Sequence, residues 1–83
     1  MKTDLTKIPY IGPKTAQCLI DAGFPNIASL KGRDAEDVYM NDCLVKGYIE
    51  HRAVLYFYRL AVAYADGDGV LPADKQHWWN WKD

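Results

Sequence analysis

The sequence predicts an all-α domain, and three observations carry that expectation. Ala16, Leu19, Ile20 and Gly23 fall at i, i+3, i+4 and i+7, the spacing of one helix face. Helix punctuation recurs along the chain: Gly12-Pro13 and Asp34 at starts, Gly23 and Gly47 at stops. Residues 49–65 are apolar on nearly every face, the pattern of a helix packed centrally or at an interface. At 83 residues the chain forms one domain. A domain of this size buries only about 60–65% of its unfolded surface, so its stability margin is modest. The domain, 1–83, divides into paired hairpins over 1–47, a long helix over 48–66, and a turn with a Trp-rich tail over 67–83.

Residues 3–7 read as a short first helix, stopped by Pro9, which pushes Ile8 out of the helical region. Ile8-Pro9-Tyr10-Ile11-Gly12 is then an apolar turn ending at a glycine. Gly12 takes the cap position, where the missing Cβ permits a sharp turn and a ligand's approach to the backbone. Pro13 opens the second helix without losing an intrahelical bond, and Gly23 closes it after Ala22. Its unpaired first amides and dipole form a ready anion site, with Lys14 beside it. Phe24-Pro25-Asn26 turns the chain, and Ile27, Ala28 and Leu30 give one apolar helical turn.

The next helix runs from a cap at Asp34 to about Val45, with Val38, Tyr39, Cys43 and Leu44 expected to face inward. The Lys31-Gly32-Arg33-Asp34 turn before it is a degenerate copy of the first. Asp34, Glu36 and Asp37 would repel a phosphate there, so this second hairpin reads as structural. Residues 49–65 form the pillar on which both hairpins pack, with Arg52, Tyr56, Arg59 and Asp66 as its polar stripe. Asp66-Gly67-Asp68-Gly69 ends it, and a short helix starts at Pro72. The chain closes on Trp78-Trp79-Asn80-Trp81-Lys82-Asp83. These tryptophans are expected to fold back as a lid on the core, or to offer an aromatic patch to a partner or to nucleobases.

Composition narrows the setting. The chain is 49% apolar and 25% charged, ordinary for a soluble globular protein. Cys18 and Cys43 are too few for a disulfide framework and lack metal-ligand spacing, so they read as small apolar residues in a reducing cytoplasm. Residues 1–7 are polar with no signal core, and the apolar run 54–65 is too short to cross a bilayer, so no membrane partner is expected. Net charge is −1, but residues 1–33 carry five basic residues against two acidic, while residues 34–83 carry five against nine. The basic part holds the first hairpin, which favours an anionic partner.

In residue order, Ile8-Pro9, Ile11-Gly12, Lys14, Ala16 and Leu19 resemble the hairpin of the helix-hairpin-helix family. That family's pattern is apolar-Pro-Gly-apolar-Gly, then a basic residue, Ala and Leu; Tyr10 stands where it usually has glycine. The resemblance implies binding to the sugar-phosphate backbone of DNA without reading sequence, through hairpin amides and a nearby basic side chain. Over nearly the whole chain, the order of hairpin, Gly-rich connector, Val-Leu-Tyr-Phe-Tyr-Arg-Leu-Ala-Val helix and terminal Trp motif resembles the small bacterial pathogenicity locus family, also labelled mitomycin-resistance-type. This resemblance implies an all-helical helix-hairpin-helix protein and little about activity.

Other chemistry lacks material. His51, His77 and the two cysteines contain no closely spaced ligand pair. Asp66-Gly67-Asp68-Gly69 resembles the start of a calcium loop, but Leu71 and His77 stand where glycine and glutamate are required. Ser29 is the sole serine and has no base in a recognised motif, and Asp34, Glu36, Asp37 and Asp42 read as a cap and a solvated face. No catalytic residue, metal or cofactor is expected. The expected function is non-enzymatic, sequence-independent DNA-backbone binding. Tyr10, Gly12, Lys14 and Thr15 lie at the phosphate, and Lys7, Lys31 and Arg33 add long-range attraction. Binding by so few contacts is weak, on the order of 10⁻⁴ to 10⁻⁶ M. The alternative is a protein-interaction or homodimerisation module that keeps the fold without DNA, with Trp78, Trp79 and Trp81 at its interface.

Overall fold

The computed structural model describes residues 3–82; Met1, Lys2 and Asp83, the outer ends of the polar N-terminal stretch and of the terminal Trp motif, lie outside the described residues. The described residues form three α-helices and three 3₁₀ turns, in the order: a turn at Leu5–Lys7, α1 at Pro13–Asp21, a turn at Ile27–Leu30, α2 at Ala35–Lys46, α3 at Arg52–Asp66, and a turn at Trp78–Trp81. No strand occurs among the described residues.

Local chemistry explains most boundaries. α1 starts at Pro13 behind an extended Gly12. It stops where Gly23 turns left-handed at φ 102° and the Phe24 amide donates back to the Leu19 carbonyl at 2.8 Å. At the start of α2 the Asp34 carboxylate accepts from the Glu36 amide at 2.9 Å, and Gly47 at φ 79° ends the helix. α3 begins at Arg52, three residues later than residue 49 from which the apolar pattern starts. The intervening chain is held by α2, because the Tyr39 hydroxyl donates to the Glu50 carbonyl and the Glu50 amide donates to Cys43 Sγ at 3.4 Å. His51 then caps the helix, its Nδ1 accepting from the Ala53 amide at 3.0 Å. In place of a helix after Pro72 there is one turn, with the Gln76 side chain donating to the Leu71 and Pro72 carbonyls.

α3, at 15 residues the longest helix, lies between α2 and the two later 3₁₀ turns, while α1 packs against α2 and the Leu5–Lys7 turn. The buried set includes Leu5, Ile8, Ile11, Leu19, Leu30, Val38, Leu55, Tyr58 and Leu60. Two residues of α2 reverse their expected places. Leu44 is 72% exposed, and Asp42 is 1% exposed in the seam with Val38, Tyr39 and Cys43. Residues 42 and 44 are two apart and cannot share a helix face. Asp42 goes inside because Tyr58 and Lys46 satisfy its carboxylate.

Candidate functional site

The turn before α1 is pinned by two buried isoleucines, Ile8 and Ile11, with the Ile11 amide donating to the Ile8 carbonyl at 3.1 Å. Between them Pro9 and Tyr10 are pushed outward, and Tyr10 takes φ 68°, the left-handed region that glycine enters without cost. Gly12 is extended at φ −88° and ψ −178°, with open space where a Cβ would stand. α1 therefore begins with no side chain on its first amides, whereas Asp34 caps α2 and His51 caps α3. Lys14 is exposed on the first turn of α1. With Thr15, Cys18, Lys46, Glu50 and Phe57 it borders a cleft of about 140 Å³.

The turn before α2 is different. Its Gly32 amide donates to Asp66 Oδ1 at 2.7 Å, and Lys31 pairs with Asp68, so carboxylates from the end of α3 fill this turn. The hydrogen bond and charge of Asp68 raise the Lys31 pKa above its ordinary value. Arg33 donates to the Ser29 carbonyl at 3.4 Å and lies over the Phe24 ring. Lys7 shares a depression of about 330 Å³ with Asp4, Lys31 and Asp68. Tyr10, Gly12, Lys14 and Thr15 thus sit in one continuous stretch, while Lys31 and Arg33 belong to another turn and serve internal partners.

Tyr10 reaches across to the chain's end. Its hydroxyl forms a hydrogen bond of 2.6 Å with His77 Nδ1, and its ring meets Trp79 edge-on at 6.2 Å. His77 stacks on Trp79 at 4.4 Å with 3° between planes. Trp78 contacts Phe57 at 5.3 Å, and Trp78 and Trp81 are partly buried against the core. The Trp81 carbonyl accepts from Arg59 at 2.8 Å. Trp79 stays 47% exposed. Sequence reasoning missed His77 as part of this arrangement, since no local signal links residues 67 positions apart.

The cleft runs into a polar cluster, buried at Asp42 and Tyr58 and partly buried at Lys46 and Glu50. Asp42 accepts from the Tyr58 hydroxyl at 2.8 Å, and Lys46 bridges Asp42 at 3.2 Å and Glu50 at 3.3 Å. Burial, then the Asp42 hydrogen bond, holds the Tyr58 hydroxyl protonated well above the usual tyrosine range. Burial acts to discharge Lys46, but hydrogen bonds to Cys18, Asp42 and Glu50 outweigh it and raise its pKa. No buried side-chain polar atom among the described residues lacks a hydrogen-bond partner, which makes this a satisfied network holding α2 to α3. The described residues contain no group of three or more His, Cys, Asp or Glu placed to hold a metal, and no helix long and apolar enough to cross a membrane.

A family model described as "Pathogenicity locus" matches residues 1–83. No curated protein and no solved structure matches the chain.

Proposed function

The chain belongs to the pathogenicity locus family, matched from end to end, and from that premise we propose that it is a non-enzymatic, sequence-independent binder of the DNA backbone. In this reading the chain carries two helix-hairpin-helix units, and the first, with Tyr10, Gly12, Lys14 and Thr15, takes the phosphate. One observation carries this reading: α1 begins on an uncapped glycine beside an exposed lysine, while the corresponding turn before α2 is filled by Asp66 and Asp34. An unfilled helix start with a cation next to it favours an anion. In this reading the second hairpin is a structural copy whose anion place is taken by the protein's own carboxylates. We place the protein in the cytoplasm, where Cys18 and Cys43 would stay reduced thiols.

Fluorescence anisotropy with a labelled duplex at about 20 mM salt tests the proposal. The expected dissociation constant is on the order of 10⁻⁴ to 10⁻⁶ M, with a log–log salt slope of about −2 to −3 for two or three neutralised phosphates. Lys14→Glu should weaken it about tenfold or more, through the lost charge and the repulsion that replaces it. Absence of binding, or binding indifferent to Lys14→Glu, would sink the reading.

A different observation favours the interaction-module reading. Met40, Leu44, Val45, Tyr48 and Ile49 are all exposed along the end of α2 and its following loop. Several of them border an apolar groove of about 310 Å³. Contiguous apolar surface of this kind marks interaction sites. Light scattering at high protein concentration separates a homodimer from a monomer whose groove awaits another chain.

A further inference from the structure

Trp79 is placed unusually for a residue in a small domain. Its neighbours Trp78 and Trp81 turn toward the core, yet Trp79 keeps 47% of its surface in solvent. One face is stacked on the parallel His77 ring at 4.4 Å, and the residue still keeps nearly half of its surface in solvent. Trp78 meets it at 85° and Tyr10 at 62°, which restrains the ring from two further sides. An indole held by neighbouring rings and half in solvent loses little entropy when a flat partner stacks on it.

The surroundings indicate the chemistry of that partner. The Lys82 ammonium lies 5.4 Å from the Trp78 ring and Lys75 lies 4.6 Å from the Trp81 ring, so cations interleave with the aromatic rings. The hydrogen bond between Tyr10 and His77 brings this cluster against the turn that leads into Gly12 and Lys14. Flat rings edged by lysines complement a chain that alternates π-faces with anions. A duplex offers its phosphates to such a surface but keeps its base faces stacked inside. A single strand offers both.

We propose that Trp79, backed by His77 and Tyr10, is a stacking platform for an unpaired nucleobase, and that the protein prefers single-stranded or frayed nucleic acid to intact duplex. This deepens the DNA-backbone reading, on which it rests for the phosphate contact at the first hairpin. Tyr10 then acts where the helix-hairpin-helix pattern usually has glycine. It gives up a relaxed backbone and joins the phosphate turn to the platform.

The experiment compares a labelled 20-nucleotide thymine single strand, the corresponding ribo-oligomer and a blunt duplex, each against the wild type, Trp79→Ala, Trp79→Phe and Lys14→Glu. The proposal expects the single strands to bind more tightly than duplex. Trp79→Ala should weaken single-strand binding about fivefold or more, the equivalent of losing one stacked base, and leave duplex binding within twofold. Trp79→Phe, which keeps a ring, should retain most of the single-strand affinity. The Trp79 fraction of fluorescence, isolated as wild type minus Trp79→Phe, should be quenched by the single strand; this readout stands even if the alanine variant folds poorly. Comparison of the two single strands tells whether DNA or RNA is the better source of the base. Duplex binding that depends on Lys14, with no single-strand preference and no Trp79 effect, overturns the platform and leaves the hairpin reading intact. Trp79-dependent binding that ignores Lys14→Glu supports the platform and overturns the hairpin reading. No binding to any of the three oligonucleotides overturns both.

Discussion

Tyr10 holds a left-handed backbone conformation that costs a non-glycine residue on the order of 1 kcal/mol, and its side chain offsets that cost through contacts with His77 and Trp79. Because Tyr10 is 44% exposed, the hydrogen bond contributes at the low end of the usual range. Tyr10→Phe should lower stability by about 0.5–1 kcal/mol in chemical denaturation and shift Trp79 emission, since the ring contacts remain while the anchor is lost. Tyr58 is a contrasting case. Its hydroxyl is buried and partners the buried Asp42. Tyr58→Phe should therefore cost more, about 1–3 kcal/mol, because a buried carboxylate loses a donor and is left to its ion pair with Lys46. Equal losses at the two tyrosines would contradict this account of their surroundings.

At the level of the element, α1 is built with its first amides open, a choice that stability alone does not favour. Asp, Asn or Ser is the better helix cap, and the space around Gly12 admits a side chain. Gly12→Asp should thus hold or raise the thermal midpoint, the cap being worth up to about 1 kcal/mol where the site gains a new acceptor. The same substitution should abolish measurable duplex binding at about 20 mM salt by placing a carboxylate where a phosphate would sit. A helix that becomes steadier while the protein loses its ligand separates function from folding in one variant. If Gly12→Asp instead binds DNA as the wild type does, the start of α1 is not the phosphate site.

For the whole molecule, the α2–α3 seam links protonation to stability. Tyr58 and Lys46 have pKa values raised by folding from ordinary values of 10.0 and 10.5. Their contribution is therefore complete below pH 10 and is lost as pH rises beyond those values, where the unfolded chain releases protons that the folded chain retains. Thermal midpoints should be level from about pH 7 to 9 and fall between about pH 10 and 11.5, with a shallower fall in Tyr58→Phe. A midpoint rising over that interval would reverse the sign and refute the role assigned to the seam.

Much of the fold could be read in advance from short-range chemistry. Pro13, Asp34, Gly23 and Gly47 act on the three or four residues beside them, and the helices begin or end at those places. The candidate stretch Tyr10–Thr15 was legible for the same reason, as an apolar turn running into a helix. The sequence by itself determined the all-helical class and the order of its three helices, because capping and backbone restriction are local forces. Only the tertiary structure decided that Asp42 is inside and Leu44 outside. It also decided that Asp66 fills the second turn and that Tyr10 holds the aromatic end of the chain. Those outcomes join residues 16, 34 and 67 positions apart. A hydrogen bond across such a distance depends on which helix faces meet, and neither periodicity nor capping carries that information.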